Sequence, residues 1–252
     1  MVHGLRACEA LFARRPADIV RVYLVETRRR HLAKLVEWCA RERKGFQVVA
    51  AENLERITGS IHHEGVAILA KAPARWTLAD LLAAVESGTL AGPLGYLDGV
   101  QNPHTGGSLL RTAAHFGAGA VVGRAGELPP SSAAALRVAE GAAEFVPVCD
   151  LADPLPDLRR LKAAGYAVVV TSSHAGESLF SCRLGAKVVF VLGAEGEGVS
   201  RAIDGVADVR VRIPGTGAVE SLNVSVACGV VLADAWRRRH PHAGPPPRSG
   251  GA

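Results

Sequence analysis

Two short runs constrain the fold more than any other feature of the chain. Residues 167–171 read Ala-Val-Val-Val-Thr, and residues 188–192 read Val-Val-Phe-Val-Leu. A strand that is apolar on both faces has to be covered on both faces, which suits a parallel sheet between two layers of helix. The surrounding sequence repeats strand, loop and helix. Strands are expected at 94–97, 120–122, 145–148, 167–171, 188–192 and 209–213, and helices at 107–115, 131–140, 158–164 and 222–238.

The first part of the chain reads as a smaller α/β unit. Strands are expected at 19–25, 46–50 and 66–70, with helices at 31–43 and 52–57. Residues 76–87 have helical spacing, opened by Thr77 as an N-cap with Asp80 three residues later. Gly88, Gly92 and Pro93 then break the pattern. These signals divide the chain into an N-terminal unit at 1–76, a linker at 77–92, a larger α/β unit at 93–239 and a disordered tail at 240–252. The total of 252 residues suits such a division.

Charge is unevenly distributed. Residues 1–76 carry 14 Lys/Arg against 8 Asp/Glu, residues 77–236 carry 11 against 16, and residues 237–252 carry 4 against none. A basic module beside an acidic body points to a polyanion partner or to a solvated arginine-rich surface, and charge alone does not separate the two. No apolar run approaches the ~20 residues needed to span a bilayer, and no secretory signal is recognisable. The five cysteines are scattered without a Cys-x-x-Cys pair, so a zinc site or disulfide framework is not expected and a reducing cytoplasmic setting is.

Three loops follow expected strands, where ligands bind in open α/β sheets. The first, Asp98 to Thr112, contains Asn102-Pro103-His104 and paired glycines before a helix carrying Arg111. Arg111 is expected on the inward side of that helix, with Leu110 and Ala114. The second, Gly193-Ala194-Glu195-Gly196-Glu197-Gly198, lacks the Lys-Ser/Thr of a phosphate-binding loop and has the wrong glycine order for a dinucleotide fingerprint. Its two glutamates repel phosphate, so a cofactor without phosphate fits it better. The third runs from Ile213-Pro214 through Ser221-Leu222-Asn223-Val224-Ser225, with Ser221 as the expected cap of the last helix.

Singly, each motif has an ordinary structural explanation. Taken in order over about residues 93–239, they resemble the SpoU (TrmH) family of RNA ribose 2′-O-methyltransferases. Residues 1–76 are similar to the ribosomal-protein-like RNA-binding unit of many members, and His62-His63-Glu64-Gly65-Val66 resembles a stretch near its end. The resemblance implies a knotted SPOUT-type α/β domain, S-adenosylmethionine as cofactor, no metal, a homodimer, and RNA (ribosomal or transfer) as substrate. It implies catalytic or orienting roles for Arg111, Asn102, Glu195, Ser221 and Asn223. Cofactor contacts would come from Leu192, Gly193, Ile213 and Leu222, with Thr171 as a further wall. Arginine stays protonated, so Arg111 is read as a clamp on phosphate and on the developing alkoxide rather than as a general base.

For RNA, Arg28, Arg29 and Arg30 are the candidate phosphate contacts, with His62 and His63 as a second candidate pair. Trp38, Trp76 and Trp236 sit at helical positions and read as packing residues. The chain departs from the usual motifs at Thr105, Ala194 and Gly215, which bears on substrate identity more than on activity. Two other functions stand beside the enzyme: a catalytically silent RNA-binding or ribosome-assembly protein on the same fold, and a nucleotide-dependent oxidoreductase. The missing dinucleotide fingerprint and the two glutamates disfavour the oxidoreductase.

Overall fold

The computed structural model describes residues 1–128 and 132–241. The expected tail at 240–252 lies almost wholly outside them, as does the first residue of the helix expected at 131–140. The N-terminal unit contains β1 (Val2–His3), α1 (Leu5–Arg14), β2 (Ile19–Leu24), α2 (Ala33–Arg41), β3 (Gly45–Val48), α3 (Ala51–Thr58) and β4 (Val66–Ala70). Its sheet has the order β1-β4-β2-β3, with β2 and β3 parallel and the other pairs antiparallel. Cys8 and Leu11 of α1 and Leu35 and Cys39 of α2 cover Val22, Leu24 and Ile68.

The second unit begins with β5 (Trp76–Thr77) and α4 (Leu78–Glu86). It continues through β6 (Leu94–Asp98), α5 (Pro103–His115), β7 (Ala120–Arg124), α6 (Ala133–Val138), β8 (Val148–Leu151) and α7 (Pro154–Ala163). It ends with β9 (Ala167–Thr171), β10 (Glu177–Ser178), β11 (Val188–Gly193), α8 (Arg201–Asp204), β12 (Val209–Arg212) and α9 (Val224–Arg239). Eight strands form one sheet in the order β10-β12-β9-β11-β6-β7-β8-β5, and every pairing in it is parallel.

The apolar runs do what their composition requires. Phe190 and Leu192 of β11 face a core shared with Leu109 of α5 and Val224 and Val231 of α9. Val189 and Val191 face the opposite core, with Leu81 of α4, Leu158 and Leu161 of α7 and Ile203 of α8. Successive residues of one strand thus feed two separate cores, as a period of two demands. The strand order reverses between β6 and β11, and a reversal of this kind leaves a crevice at the carboxyl ends of the strands.

Three expectations change. Residues 77–92 are no free linker. Trp76–Thr77 pairs with Cys149–Asp150 at the sheet edge, and Leu78, Leu81 and Leu90 are buried in the second unit. Thr77 and Asp80 do form a capping box at the start of α4. The strand expected at 145–148 starts instead at Val148. Residues Ala142–Glu144 make a 3-10 turn, Phe145 stays exposed, and the Pro147 carbonyl accepts from Val121 N at 3.0 Å. Helix α1 is an addition to the expected elements: its charged and apolar residues are mixed, and only Ala7, Cys8 and Leu11 are buried.

The two units are joined through the segment after α6. Arg15 donates from Nε and Nη2 to Glu144 at 2.6 and 2.9 Å, and Leu136 completes the N-terminal core. The Arg15 and Glu144 side chains are 15% and 4% exposed, so this pair is largely withdrawn from water. Removing one partner leaves the other charge stranded. Glu144→Ala is expected to cost about 3 kcal/mol in urea unfolding of the full chain, whereas an exposed pair such as Arg41–Glu42 should contribute almost nothing.

Candidate active site

The three loops meet at the carboxyl ends of β6, β11 and β12, and Asp98 ties the first to the second. Its carbonyl accepts from Ala194 N at 2.9 Å, and its carboxylate accepts from Ser200 N at 2.7 Å. Sequence reasoning gave Asp98 no role, although an acid at the end of a buried strand next to Gly99 was a readable signal. Beyond Gly193 the chain folds back at once, with Gly198 N donating to Ala194 O at 2.9 Å. A Cβ on Gly193 would overlap the backbone of Gly198 and Val199, so the turn requires glycine there.

Asn223 and Glu195 are brought together: the Asn223 amide donates to the Glu195 carboxylate and joins the second loop to the third. The same Asn223 caps α9, with its side-chain oxygen accepting from Ser225 N at 2.9 Å. Ser221 is therefore not the cap; it lies exposed two residues before it. Val224 is the first residue of the helix that enters the core, so the cap must sit at 223. On the neighbouring strand, Thr171 Oγ1 donates to Val191 O at 2.8 Å. His174 and Glu220 lie 3.1 Å apart and link the loop after β9 to the third loop.

Asn102 caps α5, accepting from His104 N at 2.9 Å and Thr105 N at 3.4 Å, with Pro103 in the first turn. Arg111 does not point inward. The buried stripe of α5 runs through Gly107, Leu109 and Ala113, and Arg111 lies beside it, facing the end of α6. There its Nη1 is 3.1 Å from Glu140, with 58% of the arginine side chain exposed. Gly107 allows α5 and α6 to approach, since a Cβ would overlap the Ala135 carbonyl.

The expected cofactor residues form a graded surface. Leu192 is buried, Ile213 is half-buried, and Leu222 is exposed beside the loops. Around Gly196, Gly198, Gly215 and Gly217 nothing lies within 4 Å of where a Cβ would be. Backbone groups there are open to a ligand, and Glu195 and Glu197 disfavour a phosphate. Exposed apolar and peptide groups of this kind fit the adenosine and methionine parts of S-adenosylmethionine. Among the described residues no cluster of three or more His, Cys, Asp or Glu is arranged to hold a metal. The cysteines offer no nucleophile: all five are buried, and burial pushes the Cys149 and Cys228 thiols up to about 12.

In the N-terminal unit the paired candidates separate. His62 is exposed, whereas His63 is buried and its Nδ1 accepts from Gly65 N at 2.9 Å, so His63 shapes a turn. Arg28 is half-buried and donates to Glu64 O at 2.9 Å; Arg29 and Arg30 are exposed. Trp38 packs edge-on against Phe12, Trp76 lies against the core of the second unit, and Trp236 stacks on His240.

Comparison with known proteins gives the family. Residues 95–233 match the SpoU rRNA Methylase family, and residues 1–76 match the family described as RNA 2′-O ribose methyltransferase substrate binding. The chain is 40% identical over 242 residues to YfiF of Escherichia coli O157:H7, described as an uncharacterized tRNA/rRNA methyltransferase, covering 94% of this chain and 68% of that protein. It spans 65% of a similar protein from Haemophilus influenzae. It is 36% identical to the 23S rRNA (guanosine-2′-O-)-methyltransferase RlmB of a Burkholderia species, over 95% of this chain and 96% of that one. Among solved structures, an rRNA methyltransferase from Sinorhizobium meliloti has a TM-score of 0.77 at 22% identity, covering 94% of this chain and 86% of that chain.

Fold, loops and comparisons define the class: an RNA methylase on an all-parallel sheet, joined to an RNA substrate-binding unit. Within that class the chain belongs to the SpoU rRNA methylase family.

Gly193→Ala tests the turn on which the site depends. It is expected to leave the far-ultraviolet circular dichroism intact, to lower stability by about 1–3 kcal/mol, and to abolish S-adenosylmethionine binding in calorimetry.

Proposed function

We propose that this chain transfers the methyl group of S-adenosylmethionine to a ribose 2′-hydroxyl of ribosomal RNA. The observation that carries the reading is the convergence of the three motif loops on Asp98 and on the Glu195–Asn223 contact, at the strand reversal of a SpoU-family sheet. Two similar proteins support it: RlmB, named a 23S rRNA (guanosine-2′-O-)-methyltransferase, and the SpoU methyltransferase AviRb, solved in complex with the cofactor AdoMet.

When bound, the cofactor would supply an electrophilic methyl group and leave as the neutral thioether, the hydroxyl proton passing to water, and the residues around it have to orient and activate a poor nucleophile. Gly193, Leu192, Ile213, Leu222 and Thr171 would hold the cofactor, largely through backbone and apolar surface. Arg111 keeps its charge and clamps a backbone phosphate, placing N–H groups where the hydroxyl oxygen gains negative charge. Glu195 and Asn223 fix the second loop against the third; Asn102 fixes the start of the helix that carries Arg111. Ser221, exposed beside Leu222, faces substrate.

The N-terminal unit supplies RNA affinity through the exposed Arg29 and Arg30, with the exposed His62 as a further contact. A second copy of the chain would cover the exposed Val219, Leu222 and Val226 and make a homodimer. The knotted threading of the family would bring the third loop through the second, in keeping with the Glu195–Asn223 contact. No described helix is long and apolar enough to cross a membrane, and an RNA substrate with five unpaired cysteines fits a cytoplasmic setting.

Arg111→Ala is expected to lower methyl transfer to RNA by at least ~100-fold while cofactor affinity stays within about twofold of the parent. Normal turnover would remove Arg111 from the mechanism. Absence of S-adenosylmethionine binding at millimolar concentration, with RNA binding retained, would instead identify a silent RNA-binding protein. Replacing Arg29 and Arg30 together by Gln is expected to flatten the slope of log affinity against log salt by about 1–2 and to leave cofactor binding unchanged.

A further inference from the structure

Arg111 is held by a residue whose own backbone is unusual. Glu140 sits at φ 47, in the left-handed region, immediately before Gly141 at φ 88. Glycine is unstrained at such a position and glutamate is not. The local chain therefore has no backbone reason for glutamate here. Its side chain does have a partner: the Glu140 carboxylate lies 3.1 Å from Arg111 Nη1, and among the described residues no other carboxylate pairs with that guanidinium.

The segment carrying Glu140 is fixed from both sides. On one side α6 packs into the space left by Gly107 of α5. On the other, Leu136 enters the N-terminal core, Gly141 abuts Ala10 closely enough that a Cβ would overlap it, and Glu144 is gripped by Arg15. Glu140 therefore projects from a turn that both units hold rigid, whereas Arg111 is a long, half-exposed side chain with many rotamers. One carboxylate on one guanidinium nitrogen leaves the remaining N–H groups available to substrate.

We propose that Glu140 is a positioning residue: it restricts Arg111 to the orientation in which the guanidinium meets the ribose-phosphate, and it ties that orientation to the docking of the N-terminal unit. The inference rests on the reading of Arg111 as the substrate clamp. It makes no claim that Glu140 touches RNA or cofactor.

The test compares Glu140→Gly, Glu140→Gln and Arg111→Ala in the full chain, measuring kcat and KM for RNA methylation together with the thermal midpoint. Because the pair is half-exposed, the effect is bounded by what such pairs contribute. Glu140→Gly is expected to lower kcat about three- to fivefold with KM for RNA within about twofold, and with a thermal midpoint unchanged or raised because glycine relieves the backbone. Glu140→Gln keeps the length and the backbone of the parent side chain but loses the charge that attracts the guanidinium, and is expected to lower kcat about as much as Glu140→Gly. A merely structural role would lower the midpoint along with activity, and that result would overturn the proposal. So would an unchanged kcat in Glu140→Gly beside an inactive Arg111→Ala. If Arg111→Ala itself turns over normally, the clamp reading fails first and this inference falls with it.

Discussion

Where β11 ends, the chain must reverse within a few residues while β6, its neighbour, is also ending. Asp98 solves both problems at once. Its carbonyl continues the parallel ladder to Ala194, and its carboxylate takes the Ser200 amide on the far side of the turn. The loop between them is pinned at both ends to a single residue of the adjacent strand, and Gly193 leaves no Cβ to meet the backbone of Gly198 and Val199. Once that loop is placed, Glu195 is placed, and through it Asn223 and the start of α9. The geometry of the site thus descends from the strand order, which itself descends from strands that are apolar on both faces.

That chain of dependence explains what the sequence disclosed. The runs at 167–171 and 188–192 suit a parallel sheet covered on both faces, and they pair side by side in one. The motif residues were legible because their order and spacing matched a family. Directions were harder. Leu110 and Ala114 do pack against the core, but only partly; the fully buried stripe of α5 passes through the two glycines, Leu109 and Ala113 and leaves Arg111 outside, and a glycine leaves no hydrophobic mark in a periodicity. Ser221 and Asn223 are both good caps, and only the burial of Val224 decides between them. The two-residue strands β5 and β10 are too short to produce any period. His62 and His63 are chemically identical neighbours, and burial of one of them depends on the turn at Gly65.

The uneven charge also has a structural expression. The basic unit and the acidic body meet at Arg15 and Glu144, a pair nearly excluded from solvent, so their attraction acts at short range where salt does not screen it. The exposed arginines at 29 and 30 remain free of that contact. One set of charges fixes the two units together while another remains available to a polyanion.

The distances along the chain between partners in the site carry a consequence for synthesis. Asp98 waits for Ser200, 102 residues later, and β6 gains its neighbour β11 only after the four intervening strands β7 to β10 have been made. The N-terminal sheet, by contrast, closes within its first seventy or so residues. As the nascent chain lengthens, the sheet of the unit that matches an RNA substrate-binding family is formed, with Leu136 still to close its core, while the crevice for chemistry does not yet exist. A partly made chain has the strands of its first unit but no loop pair with which to react.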